Sequence, residues 1–175
     1  MRCSLVLGVM ADDRPGIIET MSKLISSFGG EWTDSKMITM GGKFSGILLV
    51  EIPCREKPSF VDAMDSLKMR GVNVVVEEVL QPQEKEYREF YLEMIGHDRP
   101  GIIREITKLL AKYEINMMSL ESRIESAAMS GETMFIGSTL VHVPSSVDLQ
   151  LLESDFEGLA NELLVDIKLL DMALL

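Results

Sequence analysis

The sequence is short of the residues that catalysis and metal binding usually need. Among 175 residues there are two cysteines, Cys3 and Cys54, and two histidines, His97 and His142. The cysteines lie far apart, form no Cys-x-x-Cys pair and have no histidine nearby. They therefore read as free thiols in a reducing compartment rather than as a disulfide or a metal site. His142 alternates with Val141 and Val143, which puts it on the polar face of a strand. No apolar run approaches the ~20 residues of a membrane helix. The stretch Met1-Arg2-Cys3-Ser4-Leu5 reads as a strand, not as a signal peptide. Basic residues are also scarce, with 17 Lys and Arg against 28 Asp and Glu and a net charge of −11. Up to Pro82 the count is 9 against 11, and from Gln83 onward it is 8 against 17. Such a chain repels a polyanion, and no cluster of Lys and Arg with interleaved aromatics is present, which argues against direct nucleic-acid binding. The expectation is a soluble, cytoplasmic protein without metal or cofactor.

What is present is a repeat. Asp13-Arg14-Pro15-Gly16-Ile17-Ile18 recurs as Asp98-Arg99-Pro100-Gly101-Ile102-Ile103, at an offset of 85. Each copy follows an apolar run and leads into apolar residues at helical spacing: Ile17, Met21, Leu24 and Phe28 in one, Ile102, Ile106, Leu109 and Tyr113 in the other. Residues 12–28 and 97–113 share eight identities in 17 positions. A strand–loop–helix unit is duplicated, so the chain divides into two small domains, residues 1–80 and 87–175, joined by a polar linker over 81–86.

Around the repeat the order of elements is β-α-β-β-α-β, twice. In the first half, strands are expected over residues 3–10, 32–40, 44–52 and 73–79, with Gly41-Gly42 as a hairpin turn and helices over 15–28 and from Pro58 to near Arg70. In the second half, strands are expected over 87–95, 116–126, 133–143 and 164–170, with helices over 100–113 and through Leu149–Leu163. Phe44-Ser45-Gly46 matches Phe135-Ile136-Gly137 at an offset of 91, so six extra residues fall between Asn116 and Phe135, near 127–131. Gly158 costs its helix about 1 kcal/mol relative to alanine, and marks either an early end or a close packing point. The fold class is α+β, with ferredoxin-like βαββαβ units whose antiparallel sheets carry both helices on one face. The open faces, with 13 methionines in the chain, call for cover by domain packing or by dimerisation.

The repeated loop is the candidate site. Proline suits a first helical turn, the aspartate before it can accept from exposed N–H groups, and glycine allows a close approach to the backbone. A plain strand-to-helix connection needs the same atoms. Free N–H groups at a helix start also bind a carboxylate or phosphate, and an amino acid offers both a carboxylate and an ammonium. Neither copy has the Gly-x-x-x-x-Gly-Lys-Ser/Thr phosphate loop or a dinucleotide fingerprint. Enzyme chemistry is poorly supported, because no nucleophile can be placed beside His97.

Strand, Asp-Arg-Pro-Gly-Ile-Ile, helix and hairpin together resemble the ACT domain, the small-molecule sensing module of amino-acid metabolism. Two such domains and little else, with the tail Leu152-Glu153-Ser154-Asp155-Phe156-Glu157-Gly158-Leu159, resemble the glycine cleavage system transcriptional repressor family. The resemblance implies a non-catalytic regulator that binds a small amino acid, glycine by analogy, and acts through contact with a DNA-binding transcriptional activator, with a homodimer formed through ACT domains. The alternative is an adaptor or regulatory subunit that binds no ligand. Ligands are implied between the loop and the start of the next strand, often where two ACT domains meet. This maps onto His97, Asp98, Arg99, Pro100, Gly101 and Ile102, with Asn116 and Met117 across from them. The first loop supplies Asp12, Asp13, Arg14, Pro15, Gly16 and Ile17, but Glu31 and Trp32 stand where the second half has Asn116 and Met117. The second loop is therefore the favoured site.

Overall fold

A computed structural model describes residues 1–79, 86–126 and 131–172. It resolves into two compact units, Met1–Pro82 and Gln83–Leu175. Of the expected linker, only Glu86 falls within the described residues.

The first unit consists of β1 (Arg2–Asp12), α1 (Ile17–Ser27), β2 (Glu31–Met40), β3 (Lys43–Pro53), α2 (Lys57–Ser66) and β4 (Val72–Glu78), with 3-10 turns at Cys54–Glu56 and Leu67–Arg70. Its sheet runs β2-β3-β1-β4 and is antiparallel throughout. Alternation in β1 sends Leu5, Leu7, Val9 and Ala11 to one face, where α1 adds Ile17, Met21 and Ile25 and α2 adds Phe60 and Met64. Both helices thus cover one side. The opposite side carries Met10, Ile38, Met40, Ile47 and Val75, all more than half exposed. Gly41 and Gly42, both at positive φ, make the two-residue hairpin turn.

The second unit repeats this with β5 (Tyr87–His97), α3 (Ile102–Lys112), β6 (Asn116–Met117), β7 (Glu121–Ser126), β8 (Thr133–Pro144), α4 (Leu149–Leu163) and β9 (Val165–Asp171). The sheet order is β6-β8-β5-β9, with β7 also on β8. Phe90, Leu92 and Met94 of β5 pack beneath Ile102, Ile106 and Leu110 of α3 and Leu152, Phe156 and Leu163 of α4. Asp155 of α4 accepts from Lys112 Nζ at 2.6 Å and Tyr113 Oη at 2.7 Å, tying the two helices. The hydrogen bond from Lys112 holds the Asp155 carboxyl below its ordinary pKa, and Asp155 in turn raises both Lys112 and Tyr113.

Three expectations are corrected. Cys3 and Cys54 form a disulfide, with Cα atoms 5.0 Å apart. Sequence distance misled because β1 and β3 pair Arg2 with Pro53 and Cys3 with Ile52, which brings the two cysteines to neighbouring positions. The strand expected over 116–126 is broken into β6 and β7. Pairing with β8 slips by one residue between Met117↔Val141 and Glu121↔Ser138, while the buried Thr139 hydroxyl donates to the Ser119 carbonyl. The first unit has the same bulge between Trp32 and Asp34. At Gly158, α4 continues to Leu163 and a Cβ would meet nothing within 4 Å, so this glycine marks neither an end nor a close contact. The pairing Ser126↔Thr133 puts the six extra residues in the connection 127–132, of which 127–130 lie outside the described residues. His142 sits on the open face as expected, 3.1 Å from Glu89 and stacked on Tyr87.

Candidate functional site

Each repeated loop leaves the sheet where a central strand meets the hairpin tip. The Asp13 N–H donates to the Gly42 carbonyl and the Asp98 N–H to the Thr133 carbonyl, both at 2.9 Å. Helices α1 and α3 begin one residue after their glycines. Gly16 and Gly101 are the N-caps, at φ 92° and 101°, and neither helix has a side-chain cap. This corrects two expectations. The prolines precede the helices instead of opening them, and the aspartates do not cap. Glycine is required here because a side chain would be strained at that φ, not because a neighbour crowds it, since a Cβ at either position would meet nothing within 4 Å.

The arginines have a structural task that the sequence did not suggest. Arg14 donates to the carbonyl of Arg70, and Arg99 Nη2 donates to the carbonyl of Glu162 at 2.6 Å. Both acceptors lie at the C-terminal end of the unit's second helical segment, where peptide carbonyls lack helical partners and the dipole favours a cation. Asp12 is paired with Lys43, whose ammonium lowers the carboxyl below its ordinary pKa. His97, in the equivalent place, lies 3.8 Å from Glu132. The Asp98 carboxylate has no hydrogen-bond or ion-pair partner among the described residues.

In the second unit the loop opens on a groove of about 520 Å³ between the start of α3 and the edge strand β7, within the range of small-ligand sites. Asp98, Arg99, Gly101 and Ile102 of the expected set line it, joined by Ile103, Arg104, Ser122, Arg123, Ile124 and Phe135. Ser122 and Ile124 face the helices, whereas the Arg123 side chain alternates to the open face, where it pairs with Glu125. In the first unit, Arg14, Pro15, Gly16 and Ile17 line a smaller cavity of about 200 Å³ that opens toward Arg70 and Val72 instead.

Asn116 and Met117 are not brought to the groove within the unit. Asn116 pairs with His142, whereas the loop residue His97 pairs with Met134. Eight residues of β8 separate those rows, which at strand rise is about 26 Å. The same holds for Glu31 and Trp32 in the first unit, where Trp32 packs against the core and Glu31 lies 4.0 Å from Arg2. The contrast between the two loops therefore lies elsewhere. Position for position, Arg104, Ser122 and Arg123 replace Glu19, Met37 and Ile38. Met37 packs onto the core beside Gly46, and the smaller Ser122 leaves that space open as groove. The charge reversal from Glu19 to Arg104 was readable from the repeat, while the part played by β7 needed the strand register.

Comparison with known proteins agrees with this architecture. The ACT-domain profile matches residues 4–76 and again residues 90–160, most of the chain. A glycine cleavage system transcriptional repressor of Escherichia coli (strain K12) is 24% identical over 162 residues, 91% of this chain and 85% of that protein. A crystal structure of an unknown protein from Galdieria sulphuraria superposes with a TM-score of 0.87 at 26% identity, over 98% of this chain and 99% of that one. A second crystal structure, assigned to a glycine cleavage system transcriptional repressor, has a TM-score of 0.69 at 20% identity, over 97% of this chain and 96% of its own. The chain belongs to the ACT-domain family and is built from two such domains in tandem.

Proposed function

We propose that the protein is a non-catalytic regulator that senses a small amino acid in the groove beside Asp98. The observation that carries this reading is the pairing of opposite chemistries around the groove. The uncapped start of α3 offers backbone N–H donors and the positive end of a helix dipole to a carboxylate. The unpartnered Asp98 carboxylate on the same rim accepts an ammonium. Gly101 keeps the approach to the N–H groups free of a side chain. Glycine, the ligand suggested by the repressor relatives, is the first to test. The first loop, with its smaller cavity and Glu19 on the helix start, serves packing or a partner.

The relatives are named as transcriptional repressors, and the charge of −11 opposes direct DNA contact. Control is therefore exerted through a DNA-binding activator, and the ligand acts only so far as it favours one arrangement of the protein over another. The apolar open face of the first sheet suits a second copy of the chain. Asn116 and Met117 can reach a ligand only across such an ACT–ACT interface. No helix among the described residues is long and apolar enough to cross a membrane. Kinship with bacterial repressors argues for the cytoplasm, whereas the disulfide belongs in an oxidising setting.

Titration calorimetry of the full chain against the twenty amino acids tests the reading. At least one small amino acid is expected to bind at or below millimolar concentration, with Asp98→Asn weakening it about tenfold or more through loss of a charged hydrogen bond. Absence of binding at millimolar ligand would favour the adaptor reading, in which Arg99 and Gly101 do no more than hold the loop.

A further inference from the structure

The groove is walled by hydrocarbon that the fold itself leaves uncovered. Ile103, in the first turn of α3, is 37% exposed, and Ile124, on the helix side of β7, is 60% exposed. Both line the groove together with the buried Phe135. Neither isoleucine is among the residues that form the core of the unit, and hydrocarbon exposed on an edge strand is normally avoided. Ile124 pairs with Phe135, and Phe135 pairs with Gly96, where β5 runs into the loop. Two strand spacings, about 10 Å, therefore separate Ile124 from the strand that carries the loop, a span that suits a small molecule. The first unit serves as an internal control. Opposite its Phe44 stands Thr39, and opposite its Gly46 stands Met37, where the second unit has Ile124 opposite Phe135 and Ser122 opposite Gly137. The second unit has thus opened the space that Met37 fills in the first, and has replaced a hydroxyl at its wall by hydrocarbon.

Resting on the reading of this groove as the amino-acid site, we propose that it selects a free amino acid with a branched apolar side chain, such as valine or isoleucine. The α-carboxylate lies at the start of α3 and the ammonium at Asp98. Both ends of the ligand are engaged, which commits the site to a free amino acid and not a peptide. The side chain enters the space that Ser122 leaves and is covered by Ile103, Ile124 and Phe135. Glycine engages the same two charged groups but leaves both isoleucines in water. A charged side chain laid against the same hydrocarbon would lose water there.

Calorimetry of the full chain with glycine, L-alanine, L-valine, L-isoleucine and L-threonine decides the matter. Valine and threonine have nearly the same shape, so their difference separates apolarity from size. L-Valine or L-isoleucine is expected to bind about tenfold or more tighter than glycine and L-threonine, with a more negative heat-capacity change than glycine. Ile124→Thr gives this exposed edge position the residue of the first unit. It is expected to bring L-valine to within about threefold of L-threonine. Glycine or L-threonine binding as tightly as L-valine and L-isoleucine overturns the apolar preference. Loss of that binding in Asp98→Asn then leaves the groove as the site, and its persistence overturns the groove as well. A preference for L-valine that Ile124→Thr leaves untouched overturns the apolar wall. Failure of all five to bind at millimolar concentration overturns both the preference and the reading of the groove.

Discussion

Reduction of the Cys3–Cys54 bond is expected to lower the stability of the first unit by about 4 kcal/mol and to leave the second unchanged. The cross-link joins residues 51 apart, and the chain-entropy cost of holding such a loop closed in the unfolded state is about 4 kcal/mol. It encloses β1, α1, β2 and β3, the larger part of the unit. A domain of this size has a total stability of roughly 5–15 kcal/mol, so the reduced unit is left marginal. Trp32, the single tryptophan in the sequence, packs on the core of the first unit and reports on that unit selectively. Urea unfolding followed by its fluorescence should show a markedly lower midpoint with reductant, or in Cys3→Ser/Cys54→Ser. An unchanged midpoint, or two titratable thiols in protein isolated without reductant, would contradict the cross-link.

Gly46→Val should be the most damaging single substitution in the first sheet. Gly46 pairs with Val9 on one side and Met37 on the other. A Cβ placed there would clash with the Lys36 carbonyl oxygen and the Met37 sulfur and lie 2.9 Å from the Met37 Cα. The sulfur can turn aside, but the backbone atoms cannot, so β2 must separate from β3 to admit a side chain. Overpacking typically costs about 1–3 kcal/mol, and the lost ladder places this case at or above the top of that range. Gly158→Ala provides the contrast. That position is helical and open, and removing glycine's excess backbone freedom should stabilise α4 by up to about 1 kcal/mol. Thermal unfolding of the two variants should therefore move in opposite directions, and a neutral Gly46→Val would show that the β2–β3 contact is looser than described.

Most of the fold was legible because its signals are local. The offset of 85 between the two Asp-Arg-Pro-Gly loops, the apolar residues at helical spacing after each loop and Gly41-Gly42 each fix one element without reference to the others, whereas the apolar run over residues 3–10, expected to be buried on both faces, alternates and buries only one. What failed required two elements to be placed together. Cys3 and Cys54 become neighbours only through the β1–β3 register. The bond from Arg99 to the Glu162 carbonyl emerges only when the end of α4 is placed against the loop. Asn116 lies at the other end of the sheet from the loop of its own unit, because α3 runs back along β5 before β6 begins. The part played by β7 was hidden for the same reason. Ser122 and Ile124 lie about 20 residues beyond the loop in sequence, and only the sheet brings them opposite the start of α3.

The central claim is that the second loop, and not the first, holds the ligand. Amide nitrogen–proton NMR spectra of the uniformly labelled full chain, recorded during titration with glycine and with the other small amino acids, test it residue by residue. Shifts are expected only at Gly101, Ile102, Ile103 and Arg104 and at Ser122, Arg123 and Ile124 opposite them, with Gly16, Ile17, Ile18 and Glu19 unmoved. Shifts at the first loop, or none at either, would contradict it.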